Sequence, residues 1–113
     1  MASHGALVIQ RTMKTYPCPL DETTPVLEFP FGEDSQTHAL VAYTEHGGVI
    51  MLDSNIRDQP WCSEHHINAI FAHELGHMAA GEDEEAAESW AIQKLKELEE
   101  FEAVKLLLDR GIV

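Results

Sequence analysis

AHELGHMAAGEDEEAAESWA, residues 72–91, decides how the C-terminal half of this chain folds. It carries His73 and His77 four positions apart, Glu74 beside the first, and Gly81 ahead of a run of carboxylates. Around it, Ile67, Ile70, Phe71, Leu75 and Met78 recur at spacings of three and four, the period of a helix with one apolar face. Ser63 can cap that helix, and Gly81 stops it, because glycine accepts the left-handed conformation after a last turn. Asp83 then caps a second helix, with Ala87, Trp90, Ala91, Leu95 and Leu98 along one face. The stretch FEAVKLLLDRG, residues 101–111, is also helical and either continues the second helix or breaks near Glu100.

Upstream the pattern is that of strands. ALVI at 6–9 reads as a short strand. Residues 16–34, YPCPLDETTPVLEFPFGED, hold four of the five prolines and read as extended and irregular, with VLEF an edge strand at best. ALVAY (39–43) and VIMLD (49–53) flank TEHGG, whose paired glycines supply positive φ, so they form a hairpin of undetermined loop length. SNIRDQPWC, residues 54–62, reads as a loop, and Trp61 and Trp90 are most simply core. Strands first and helices after imply an α+β fold, and 113 residues suffice for a single domain spanning 1–113.

Composition narrows the function classes. Twenty acidic against seven basic side chains give a net charge of −13, which repels phosphate backbones and anionic lipid, so neither nucleic acid nor membrane is an expected partner. A solvated acidic helix face explains most of that charge; imitation of a nucleic acid is the sharper alternative. Cys18 and Cys62 stand in no metal-ligand or redox spacing and read as two buried thiols. No run reaches membrane-span length, and MASHGALVIQ has neither the basic region nor the long apolar stretch of a signal peptide, so the expected location is cytoplasmic.

The chemistry lies in HELGH, residues 73–77. On a helix His73 and His77 are one turn apart and point the same way, so two imidazole nitrogens can converge on one Zn²⁺. Glu74 is too close in sequence to complete a tetrahedron but is placed to take a proton from a metal-bound water. Gly76 removes a side chain where the helix would crowd a neighbour. A third ligand is needed, and Asp83, Glu84, Glu85 and Glu88 are the candidates. Glu84 and Glu88 share a face at the border of the apolar stripe, whereas Glu85 points towards solvent. A bend at Gly81 can bring Glu84 to the metal, and Glu88 can then accept the far N–H of a ligating histidine. His66, seven before His73, reads as a polar residue of the first turn. Tyr43, His46 and His38 are candidates for stabilising an oxyanion.

With these residues in view, AHELGH followed by EEAAESWA resembles the gluzincin metallopeptidases, which carry HExxH on one helix and a ligand glutamate on a following one. The second segment is similar to the E-x-x-A-[DN]-x-[FW]-A pattern of small ImmA/IrrE-type peptidases and of membrane-bound prenyl-protein peptidases. Glu84 falls on the ligand glutamate, Ala87 on the alanine, and Trp90 and Ala91 on the aromatic–alanine pair, while Glu88 replaces the usual Asp or Asn. The small size also resembles the minigluzincins. Only six residues separate His77 from Glu84, a shorter interval than in most gluzincins; Asp83, which stands where a metzincin third ligand would be, is the alternative. In gluzincins an edge strand pairs with extended substrate, and ALVAY would be that strand, setting Ala42 and Tyr43 against the peptide.

The resemblance implies a zinc-dependent metalloendopeptidase in which His73, His77 and Glu84 bind Zn²⁺ and Glu74 activates the water that attacks a peptide or protein substrate. A chain this short has little material for a second cleft wall, so narrow activity or a homo-oligomer completing the site is expected. The rivals are a non-catalytic zinc-binding interaction protein and an acidic nucleic-acid mimic.

Overall fold

The computed structural model describes residues 13–32 and 35–109. Four strands come first: β1 (Lys14–Cys18), β2 (Asp21–Phe29), β3 (Ala39–Thr44) and β4 (Gly47–Asp53). A 3₁₀ turn, Ser54–Asp58, leads to α1 (Glu64–Ala80), α2 (Glu84–Glu97) and α3 (Phe101–Leu108). The α+β order is thus as expected; the strand proposed at 6–9 lies outside the described residues.

The sheet is mixed, in the order β1-β2-β4-β3. β2 runs antiparallel to β1 and parallel to β4, and β3 closes an antiparallel hairpin on β4. The proline-rich segment is therefore not irregular, and VLEF lies inside the sheet rather than at its edge. The prolines are accommodated by position. Pro17 and Pro25 face each other across the β1–β2 ladder, where the register shifts between Pro17 and Cys18. Among the described residues Pro17 is on an outer strand, and Pro25 stands one residue before pairing with β4 begins at Val26↔Ile50, so no ladder partner there needs the missing N–H. The hairpin turn proves to be two residues, Glu45 and His46. Of the paired glycines only Gly47 has positive φ, 118°; Gly48 instead leaves room for Met78.

One sheet face supplies Val26, Ile50 and Leu52, all fully buried, to a core shared with Ile67, Ile70, Phe71 and Leu75 of α1, Ala91 and Leu95 of α2, and Ala103 and Leu107 of α3. The expectation of a single apolar face on α1 is too narrow. Every residue from Ala69 to Gly76 is buried, because α1 is wrapped by the sheet and by both other helices. Small residues permit this: a Cβ on Gly76 would stand 2.3 Å from the Ala87 carbonyl oxygen of α2.

The helix ends follow local rules. Ser63 caps α1, and His66 answers as the side-chain acceptor for the Ser63 N–H at 3.2 Å, which assigns His66 to a capping box. Gly81 ends α1 at φ 90°, and the Asp83 carboxylate accepts from the N–H groups of Glu85 (2.9 Å) and Ala86 (3.4 Å) to start α2. α2 closes at Leu98, and Glu99 takes φ 59°, so α3 is separate. That break turns Leu98 outward from its expected core stripe, to 42% exposure. Trp61 is likewise not core: it is 40% exposed, with its ring against His38 and His66, whereas Trp90 packs half-buried on the core. Both cysteines are free, Cys18 buried and Cys62 half-buried. Among the described residues no helix is long and apolar enough to cross a membrane.

A partly buried ion pair ties the sheet to the 3₁₀ turn that leads into α1. Arg57 meets Glu28 of β2 through two bonds, Nε–Oε2 at 2.8 Å and Nη2–Oε1 at 3.0 Å, and Tyr16 donates to the same carboxylate. Burial pulls the Glu28 carboxyl up; Arg57 and Tyr16 more than reverse it and leave it below its ordinary value. A lowered carboxyl contributes stability that is present above its unfolded pKa and is lost as pH falls through the folded one. Arg57→Ala strands that carboxylate and is expected to cost about 2–3 kcal/mol at pH 7, towards the low end for broken buried pairs because Arg57 is partly exposed. The gap between variant and wild type in urea midpoint should narrow as pH falls through the ordinary carboxylate range near ~4, because Glu28 is protonated earlier in the variant, where Arg57 no longer opposes its burial, than in the wild type. A gap that stays constant from pH 7 to pH 3 would contradict this assignment.

Candidate metal centre

Helical geometry sets the first two donors. His73 and His77 project from the same side of α1, and their Nε2 atoms are 3.1 Å apart. The turn at Gly81–Asp83 then reverses the chain so that Glu84, the first residue of α2, faces both rings. Its Oε1 lies 3.1 Å from His77 Nε2 and its Oε2 3.2 Å from His73 Nε2. The three side chains form the one cluster of potential metal donors among the described residues, with ligand atoms all within 4.8 Å of one another.

Two further observations bear on whether a metal fits. His77 Nδ1 is 2.9 Å from the Gly81 carbonyl oxygen, which can only accept, so Nδ1 carries a proton and Nε2 is the ring nitrogen turned towards Glu84. Two acceptors facing each other at 3.1 Å need a positive centre, a proton or a cation, among them. Nitrogens each ~2.0–2.1 Å from a tetrahedral zinc stand ~3.3 Å apart, close to the separation here. The donor set, two imidazoles and one carboxylate, therefore suits Zn²⁺. Burial, with His77 adding to it, lowers the His73 pKa against the opposing charges of Glu84 and Glu88, which favours the neutral ring that a metal requires.

Glu74 is 8% exposed, has no hydrogen-bond partner among the described residues, and borders a cavity of about 310 Å³ together with His77 and Glu84. Burial pushes its carboxyl up to about 7, with His77 opposing and Glu84 reinforcing the shift. The other walls of the cavity are Leu40, Val41 and Tyr43 of β3 and Gly81 and Glu82 of the turn. A larger cavity, about 490 Å³, lies around His38, Asp53 and Trp61 and includes none of the three donors.

The structure thus brings together His73, Glu74, His77 and Glu84. Asp83 is engaged as the cap of α2 and stands outside the donor cluster. Glu85 is exposed. Glu88 is half-buried and acts on His73 through its charge, without a hydrogen bond to either imidazole among the described residues; the far nitrogen of His77 uses the Gly81 carbonyl instead. The other far nitrogen, His73 Nδ1, is buried without a partner. Of the suggested substrate contacts Tyr43 borders the cavity and Ala42 does not. Of the oxyanion candidates only Tyr43 is at the site: His46 sits exposed in the hairpin turn and His38 lies against Trp61.

Sequence reasoning missed Leu40, Val41, Glu82 and the Gly81 carbonyl. The last was findable, since the glycine that ends a helix four residues after a histidine places its backbone within reach of that ring. Within ALVAY, which the sequence did suggest as the substrate strand, Leu40 and Val41 were not, because only the sheet order shows which edge faces α1.

Comparison with protein-family models, with curated proteins and with solved structures finds no match to this chain.

Proposed function

We propose that this protein is a zinc-dependent metallopeptidase with a zincin-like arrangement of the gluzincin kind. The observation that carries the reading is the convergence of His73, His77 and Glu84 from two helices, with the buried carboxyl of Glu74 beside them on one cavity. His73, His77 and Glu84 would hold the metal. When bound, zinc supplies Lewis-acid polarisation of a carbonyl and makes water acidic enough to ionise near neutrality.

The chain's own groups do the rest. Glu74 takes the proton of the attacking water and delivers it to the leaving amine, a role that its buried position on the cavity beside the three donors suits. Gly81 holds the His77 ring in the tautomer that presents Nε2. Among the described residues β3 is an outer strand of the sheet with no partner on its far edge, and it borders the cavity through Leu40, Val41 and Tyr43, so that edge can add an extended peptide beside Glu74. Tyr43, 70% exposed at the rim, has a hydroxyl free to donate to a developing oxyanion.

Metal content by mass spectrometry tests the site directly. Wild-type protein should hold one zinc per chain, Glu84→Ala should lose it, and Asp83→Ala should keep it while losing about 1 kcal/mol of stability with its helix cap. A wild-type chain that takes up no zinc even after reconstitution overturns the reading, and an acidic interaction protein would then fit the charge better.

A further inference from the structure

The cavity beside Glu74 is lined by more than the proposed reaction uses. Three carboxylates at or beside this cavity have work within the fold or the proposed metal site: Asp83 caps α2, Glu84 faces the two imidazoles, and Glu74 of α1 is buried. Glu82 is the fourth. It borders the same cavity, is exposed, and pairs with no lysine, arginine or histidine among the described residues. Tyr43, an aromatic ring 70% exposed on β3, borders the same cavity, with Leu40 and Val41 beside it. An open aromatic face, an uncommitted carboxylate and aliphatic walls on one cavity match a long cationic side chain, whose methylenes cover apolar surface while the head meets the ring and the acid.

The wider field acts in the same direction. Acidic side chains outnumber basic ones by twenty to seven, and residues 82–88 hold five of them, so the mouth of this cavity is approached through a negative potential.

We infer that the substrate of this site is a basic peptide, with a lysine or arginine side chain seated between Tyr43 and Glu82 while the backbone lies along β3. The inference rests on the peptidase reading for what happens next, but the seat itself is a binding property. Rim carboxylates and exposed aromatic faces each contribute modestly, and together they give about a tenfold preference over a neutral side chain of equal length. That preference should weaken with salt.

The test measures binding rather than turnover. Fluorescein-labelled peptides that differ only at one central residue (lysine, arginine, norleucine or glutamate) are titrated by anisotropy with the full-length Glu74→Gln chain, so that cleavage does not intervene. The lysine and arginine peptides should bind about tenfold tighter than the norleucine peptide at ~0.15 M salt. Glu82→Gln and Tyr43→Ala should each reduce that ratio to about twofold. Glu102→Gln removes the same charge from exposed surface on α3 and should leave it unchanged. Equal effects of Glu82→Gln and Glu102→Gln would assign the preference to net charge and overturn the seat, as would the absence of any preference. The two readings separate cleanly. Glu74-dependent hydrolysis without basic preference overturns this inference alone, whereas basic preference without zinc or hydrolysis supports the seat and overturns the peptidase.

Discussion

Glu74→Gln protein should retain one zinc per chain and lose peptide hydrolysis by about a thousandfold. The substitution keeps the size and burial of a side chain that is 8% exposed, so the helix and the three donors beside it are undisturbed. What it removes is the ability to take a proton and return it. A positioned general base contributes about 10²–10⁴-fold, and a glutamine amide cannot take up the proton in its place. Zinc content, the circular-dichroism spectrum and the rate on a cleaved peptide need to be read together. Retained zinc with an unchanged rate would show that Glu74 is not the base. Retained zinc in both proteins with no hydrolysis in either would favour a zinc protein that binds without cleaving.

Gly76→Ala should cost about 2 kcal/mol in stability and weaken zinc binding by at least about tenfold. Alanine is the better helix former by roughly 0.5–1 kcal/mol. Here it meets the backbone of α2: the new Cβ would stand 2.3 Å from the Ala87 carbonyl oxygen and 3.0 Å from its carbonyl carbon. A backbone cannot rotate aside as a flexible side chain does, so the helices must separate, and overpacking of this kind costs about 1–3 kcal/mol or more. Glu84 lies three residues before Ala87 on α2 and moves with it, away from His73 and His77 on α1. Urea unfolding and zinc competition titrations measure the two effects. A variant as stable as wild type with undiminished zinc affinity would show that the α1–α2 contact is looser than the structure gives it. A third substitution, Glu84→Ala, separates the two causes, since it removes the donor and leaves the helix contact intact.

Local rules made much of this fold readable. Ser63, Gly81 and Asp83 end and start helices through the conformations their own side chains and backbones prefer, and those boundaries are where the residue types place them. The hairpin was legible as well, although its two-residue loop was not. Reading failed where a residue's fate depends on a distant partner. Pro17 and Pro25 argue against strands when taken singly; their pairing at a register shift, with no donor needed on the open side, makes both compatible with one. Trp61 looked like core by residue type, yet no element covers it. Arg57 and Glu28, 29 positions apart, gave no signal at all before the fold joined them.

The same division runs through the site. The sequence by itself determined that His73 and His77 project from one side of a helix, because 3.6 residues per turn leaves no other arrangement, and that Glu74 stands beside them. It also limited the third donor to the carboxylates after Gly81. Only the tertiary structure shows which of these carboxylates meets the two imidazoles. The Asp83 carboxylate is held by two backbone N–H groups of α2, the bend at Gly81 returns Glu84 to within 3.2 Å of both imidazoles, and the Gly81 carbonyl takes the place offered to Glu88. Helical periodicity is local and survives in any environment. The direction in which one helix returns over another depends on how closely Gly76 and Ala87 let them approach, and that is a property of the packed pair.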